Sequence, residues 1–161
     1  MKASRGFMMA MVAMIVAGCA SGGGGGSDAR IDRNLGSATL SDLMERSHRV
    51  IRLHQFEVER EEEEGMYYLE TRWRDRTLFD DERALGIQSA QTRVVIRGNP
   101  RSPTAQGQFY SVNILVENRV SLGSGEWRQE VLTDEFRGWA NRIVEDLRRE
   151  LDVGVRQFGP G

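Results

Sequence analysis

The chain has one cysteine, one lysine and two histidines among 161 residues, and each scarcity removes a class of chemistry. A lone Cys19 allows no intramolecular disulfide. Lys2 is the only lysine and lies in a segment expected to be removed, so the mature chain has no Schiff-base lysine, Ser-Lys dyad or phosphate-loop lysine. His48 and His54 stand six apart, on different faces of a helix, with no cysteine or further histidine at ligand spacing, so no zinc site is expected. No histidine accompanies a serine in a nucleophile elbow, and Gly123-Ser124-Gly125 reads as a turn. The one long apolar run, Phe7 to Ala17, is too short to span a hydrocarbon core of ~30 Å.

What is present at the start is an export signal. Lys2 and Arg5 form a basic opening, the apolar run follows, and small residues lead to Val16-Ala17-Gly18-Cys19. That tetrapeptide resembles the lipobox of bacterial lipoproteins. The resemblance implies cleavage before Cys19, a diacylglycerol on its thiol and an acylated amino group, so the mature protein is tied to a membrane by several acyl chains. Ala20, standing where an aspartate would retain the protein, implies the outer membrane in a two-membrane envelope. Five consecutive glycines between Ser21 and Ser27 then form a flexible tether. The expected division is a signal peptide at 1–18, lipidated cysteine and tether at 19–33, one domain at 34–156 and a tail at 157–161.

Removing Lys2 and Arg5 with the leader lowers the basic count from 22 to 20 against 24 acidic residues, a net charge of −4. Such a balance argues against nucleic acid as a partner. The arginine bias itself needs no more than a GC-rich coding genome. Asp80, Asp81 and Glu82 lack the ligand periodicity and central glycine of a calcium loop, and Glu61 to Glu64 read as solvated charge. No metal, cofactor or catalytic residue is assigned.

The domain reads as α+β. Thr39 or Ser37 caps a helix over residues 39–53, with Leu40, Leu43, Met44, Ser47, Val50 and Ile51 on one side. Phe56 and Val58 open a hairpin whose turn holds the four glutamates. Its second strand, over residues 66–76, points Tyr67, Leu69, Thr71 and Trp73 inward and Glu70, Arg72, Arg74 and Arg76 outward. Residues 77–90 read as a loop. Thr92, Val94 and Ile96 mark a third inward-facing strand, ended by Gly98-Asn99-Pro100, and Tyr110, Val112, Ile114 and Val116 mark a fourth. Thr133 then caps a closing helix with the stripe Phe136, Trp139, Ala140, Ile143, Val144, Leu147 and Leu151, and Gly154 is expected just past its end.

Helix, four mostly antiparallel strands and helix make a two-layer sandwich with both helices on one face. With a helix leading into Gln55-Phe56-Glu57-Val58 and an amphipathic helix at the close, the outline is similar to the helix-grip modules of outer-membrane-protein assembly lipoprotein C and, less closely, lipopolysaccharide-assembly lipoprotein E. The resemblance carries no binding residue across.

The candidate partner-binding residues are the arginines expected on the outer sheet face, Arg72, Arg74, Arg76, Arg93 and Arg97, together with Trp127 in a polar loop. These features point to a non-enzymatic lipoprotein that binds another envelope component, a protein foremost, as an accessory in envelope assembly. The alternatives are an enzyme acting on envelope polymer through paired carboxylates and a carrier of an amphiphile. Two close carboxylates in a cleft would favour the first alternative, and a hollow apolar interior the second.

Overall fold

The structure, a computed structural model, describes residues 30–105, 107–123, 125–129 and 132–156. The expected export signal, Cys19, the glycine-rich segment and the tail at 157–161 lie outside the described residues. In chain order the elements are β1 (Arg30–Ala38), α1 (Leu40–Leu53), β2 (Val58–Glu62), β3 (Tyr67–Thr71), β4 (Arg74–Arg76), α2 (Asp80–Ala84), β5 (Ser89–Pro100), β6 (Tyr110–Ser121) and α3 (Asp134–Arg156). The sheet runs β1-β6-β5-β3-β2, with β4 also on β5, and every pairing is antiparallel. The α+β class holds, with six strands in place of the four expected.

The strand absent from the sequence reading is β1. Its buried residues are Ile31, Leu35 and Ala38, a spacing of four and three that imitates a helix. The cause is a bulge between Asn34 and Gly36: Gly36 takes φ +96°, and its N–H donates to Asn34 Oδ1 at 3.0 Å. The strand starts at Arg30, inside the segment expected to be tether.

Thr39 caps α1, its Oγ1 accepting from the Asp42 N–H at 3.2 Å. The helix ends in a double turn in which Phe56 N–H donates to the Ile51 carbonyl and Gln55 N–H to that of Arg52, with Gln55 at φ +57°. This turn drives Phe56 back beside Ile51 in the core. Contacts between Arg46 and Glu150 and between His54 and Asp146 show α1 and α3 running antiparallel over one sheet face. Phe136, Ala140, Ile143, Val144, Leu147 and Leu151 of α3 are buried against Val94, Ile96, Ile114 and Val116 of the sheet. The helix continues through Gly154 to Arg156, beyond the expected stop, since its stripe is fixed by packing upstream.

The second strand expected over residues 66–76 is broken. Glu70 pairs with Val95 but Arg74 with Thr92, so one extra residue is accommodated at Arg72 and Trp73. Past this bulge the alternation changes phase. Tyr67, Leu69 and Thr71 point inward as expected, whereas Trp73 is thrown to the outer face and Arg74 and Arg76 turn toward the helices. The expected loop at 77–90 contains α2, whose Glu82 side chain accepts from Phe79 N–H at 3.0 Å and is fully buried.

Candidate functional site

With helices on one face, the other face of the sheet is open, and the strand registers fix its layout. One row across it holds Asp32, Leu115, Val95 and Glu70, and the next holds Asn34, Asn113, Arg97 and Tyr68. Val95 and Leu115 keep only 2% and 7% of their surface, although no helix covers them, because the long side chains around them fold over. They floor a depression of about 380 Å³ with Tyr68 and Met66 as walls and Arg97, Asp32 and Asn113 at the rim.

Beside this depression runs a chain of charged and aromatic groups. Arg93 lies between the carboxylates of Glu70 and Glu117, donating to both, and its guanidinium sits 4.8 Å from the Trp73 ring. Burial works against its charge, but Glu117 and Glu70 outweigh it and hold the pKa above the ordinary arginine value. Arg119 lies against the same Trp73 ring at 4.2 Å and against Trp127 at 4.9 Å, and its Nε donates to Gln91 Oε1 at 2.7 Å. Partial burial lowers the pKa of Arg119, and the nearby Arg93 lowers it further against the pull of Asp75. At the other end Tyr68 donates to Glu70 at 2.8 Å while Arg97 and Arg60 lie over its ring. Burial, then the bond to Glu70, raises the Tyr68 pKa.

Of the arginines expected together, Arg93 and Arg97 are on this face and Arg72 is exposed at the bulge. Arg74 is on the helix side, over the Phe56 ring at 4.3 Å and donating to the His54 carbonyl. Arg76 is buried against Glu82, with further bonds to Thr92 and Asn118. The grouping of five is thus reduced, because the bulge reverses the phase for the last two. Trp127 is 39% exposed and on the open face. The sequence reading missed Tyr68, Trp73 and Arg119. Arg119 was available to it: extending the inward phase Val112, Ile114, Val116 puts residues 113, 115, 117 and 119 outward.

The acidic stretch at 80–82 is divided among separate partners. Asp80 pairs with Arg83, Asp81 accepts from Glu135 N–H at 3.0 Å, and Glu82 faces Arg76. His48 lies 2.9 Å from Glu61 and His54 2.8 Å from Asp146. Among the described residues no group of three His, Cys, Asp or Glu side chains suits a metal ion. A scan against protein-family models finds no match, and no curated protein matches the chain.

Proposed function

We propose that the protein is a lipid-anchored, non-enzymatic accessory of the cell envelope that binds another envelope protein through the open face of its sheet. The lipobox-like Val16-Ala17-Gly18-Cys19 supplies the anchor, and Ala20 directs it to the periplasmic side of an outer membrane. The observation that carries the binding role is the composition of the open face: a nearly buried floor of Val95 and Leu115 lined by Tyr68 and Arg97. Tyrosine and arginine around an apolar centre are among the groups from which interfaces draw most of their energy.

The alternatives find less support. Glu70 and Glu117 are the close carboxylates of this face, but Arg93 lies between them and occupies both. An amphiphile carrier needs space between sheet and helices. There α1 packs so closely that a Cβ on Gly98 would stand 2.4 Å from Leu43 Cδ2.

The test is crosslinking in the native envelope followed by mass spectrometry, comparing the wild type with Cys19→Ala. One specific envelope protein, recovered with wild type and weakened with the variant, is the expected result. Recovery of lipid alone, or of the same bystanders with both chains, overturns the proposal.

A further inference from the structure

The end of the domain that faces the anchor follows from the strand directions. β1 runs antiparallel to β6 with Arg30 opposite Glu117, so the start of β1 lies at the end of β6 that carries Arg119 and Ser121. The segment after β6 is held there by paired backbone bonds of 2.8 Å between Val120 and Arg128, which leaves Leu122 43% and Trp127 39% exposed. Cys19 is eleven residues before Arg30, a span of at most about 40 Å. The turn after Glu61 and Glu62 is at the opposite end, since Tyr67 pairs with Gly98, near the far end of β5.

At this anchor-side corner Arg119 is held in place but, among the described residues, not ion-paired. Its guanidinium is held by two indoles and Gln91, and among the described residues its Nη groups have no acceptor and no carboxylate lies within ion-pair distance. The neighbouring carboxylates are otherwise engaged: Glu117 by Arg93 and Asp75 by Gln91, whose Nε2 donates at 2.7 Å. Glu126, next to Trp127, forms no ion pair with it. A planar guanidinium with a free edge matches an oxyanion in bidentate fashion, and tryptophan favours the boundary between headgroups and acyl chains.

We propose that the Trp127–Arg119–Trp73 corner is a phospholipid-headgroup contact: Arg119 holds a headgroup phosphate while Trp127 and Leu122 enter the interfacial layer. The contact seats the domain on the bilayer with the anchor-side end of its sheet down, the Tyr68–Arg97 depression facing sideways and the glutamate turn away from lipid. This orientation rests on the lipid-anchor reading. The headgroup grip itself rests on the corner's geometry.

The experiment uses the full mature lipoprotein in phosphatidylcholine vesicles with and without phosphatidylglycerol, and measures quenching of tryptophan fluorescence by brominated acyl chains. Quenching is expected in wild type, to be lost in Trp127→Phe, and to strengthen with phosphatidylglycerol. Arg119→Gln should shift the seated-to-free ratio about fivefold toward free. Thermal unfolding of both variants by circular dichroism checks that the fold is intact, and Arg119→Lys, which keeps charge without the flat fork, should recover only part of the contact. The mass of the N-terminal peptide reports separately on the anchor. An unacylated terminus overturns the anchor reading and the orientation with it. An acylated terminus with equal quenching in wild type and Trp127→Phe overturns the headgroup contact alone, and leaves the corner to a protein partner.

Discussion

Arg76 and Glu82 meet inside the protein with 5% and 0% of their side chains exposed, Arg76 Nη1 lying 2.7 Å from Glu82 Oε2. The pair ties β4 to α2, and the guanidinium also lies 4.7 Å from the Phe79 ring and 5.0 Å from that of Phe136, so it joins α3 to the same point. Removing one partner leaves the other charge buried alone. Arg76→Met is therefore expected to cost about 3–5 kcal/mol in urea unfolding, and the double variant Arg76→Met/Glu82→Leu to recover a large part of that loss. A single variant that costs under ~1 kcal/mol would show that the pair does not hold this end together.

Tyr67 donates to Glu61 at 2.9 Å and is fully buried. Burial first, and then the bond to Glu61, pushes its phenol far above the ordinary tyrosine value. Because the folded pKa is raised, the native state keeps a proton that the unfolded state gives up above pH ~10, and stability falls as pH rises from there. The slope should be about 1.4 kcal/mol per pH unit for this group. Tyr67→Phe should lower stability at neutral pH by about 1 kcal/mol through the lost hydrogen bond and flatten the alkaline slope, leaving the smaller contribution of Tyr68. Absorbance of phenolate against pH, beside unfolding at each pH, checks both; a Tyr67 that titrates in the folded protein contradicts the burial argument.

The elements that sequence made legible are those whose periodicity runs without interruption. The α3 stripe and the inward phase of β5 and β6 emerge as read, and Thr39 caps α1 as expected. The misread strands were misread at bulges, whereas α2, the end of α3 and the far end of β5 were missed because they have no period of their own to read. An extra residue at Arg72 and Trp73 turns an apparently continuous alternation into two strands of opposite phase, moving Trp73 out and Arg76 in. The bulge at Asn34 and Gly36 gives β1 an apolar spacing that does not resemble a strand. The open face was half legible for the same reason: Arg93 and Arg97 lie on an undisturbed strand, whereas Trp73 depends on a bulge that composition does not announce.

Gly98, expected from the sequence to end a strand, is inside β5, under α1. A Cβ there would stand 2.4 Å from Leu43 Cδ2 and 3.1 Å from Tyr67 Cβ, so the fully buried Leu43 and Tyr67 must shift to admit it. Gly98→Ala is thus expected to destabilise by about 1–3 kcal/mol, even though alanine suits an extended backbone better than glycine. A shift of the urea midpoint without a change in slope is the signature. A neutral or stabilising result would mean that α1 rides higher on the sheet than described.

Arg97 offers the cleanest probe of the proposed binding face. It is exposed, lies over the Tyr68 ring at 5.9 Å and takes part in no ion pair among the described residues, so its reversal should leave the fold within ~0.5 kcal/mol of wild type. If the depression it rims receives an envelope protein, Arg97→Glu should reduce crosslinked partner about fivefold, the equivalent of ~1 kcal/mol for one exposed charge contact, chiefly through slower association and with weaker salt dependence. Arg72→Glu, also exposed but at the bulge, is the control and should change recovery little. Equal loss in both variants would point to a general charge effect, and no loss in either would remove the depression from the interface.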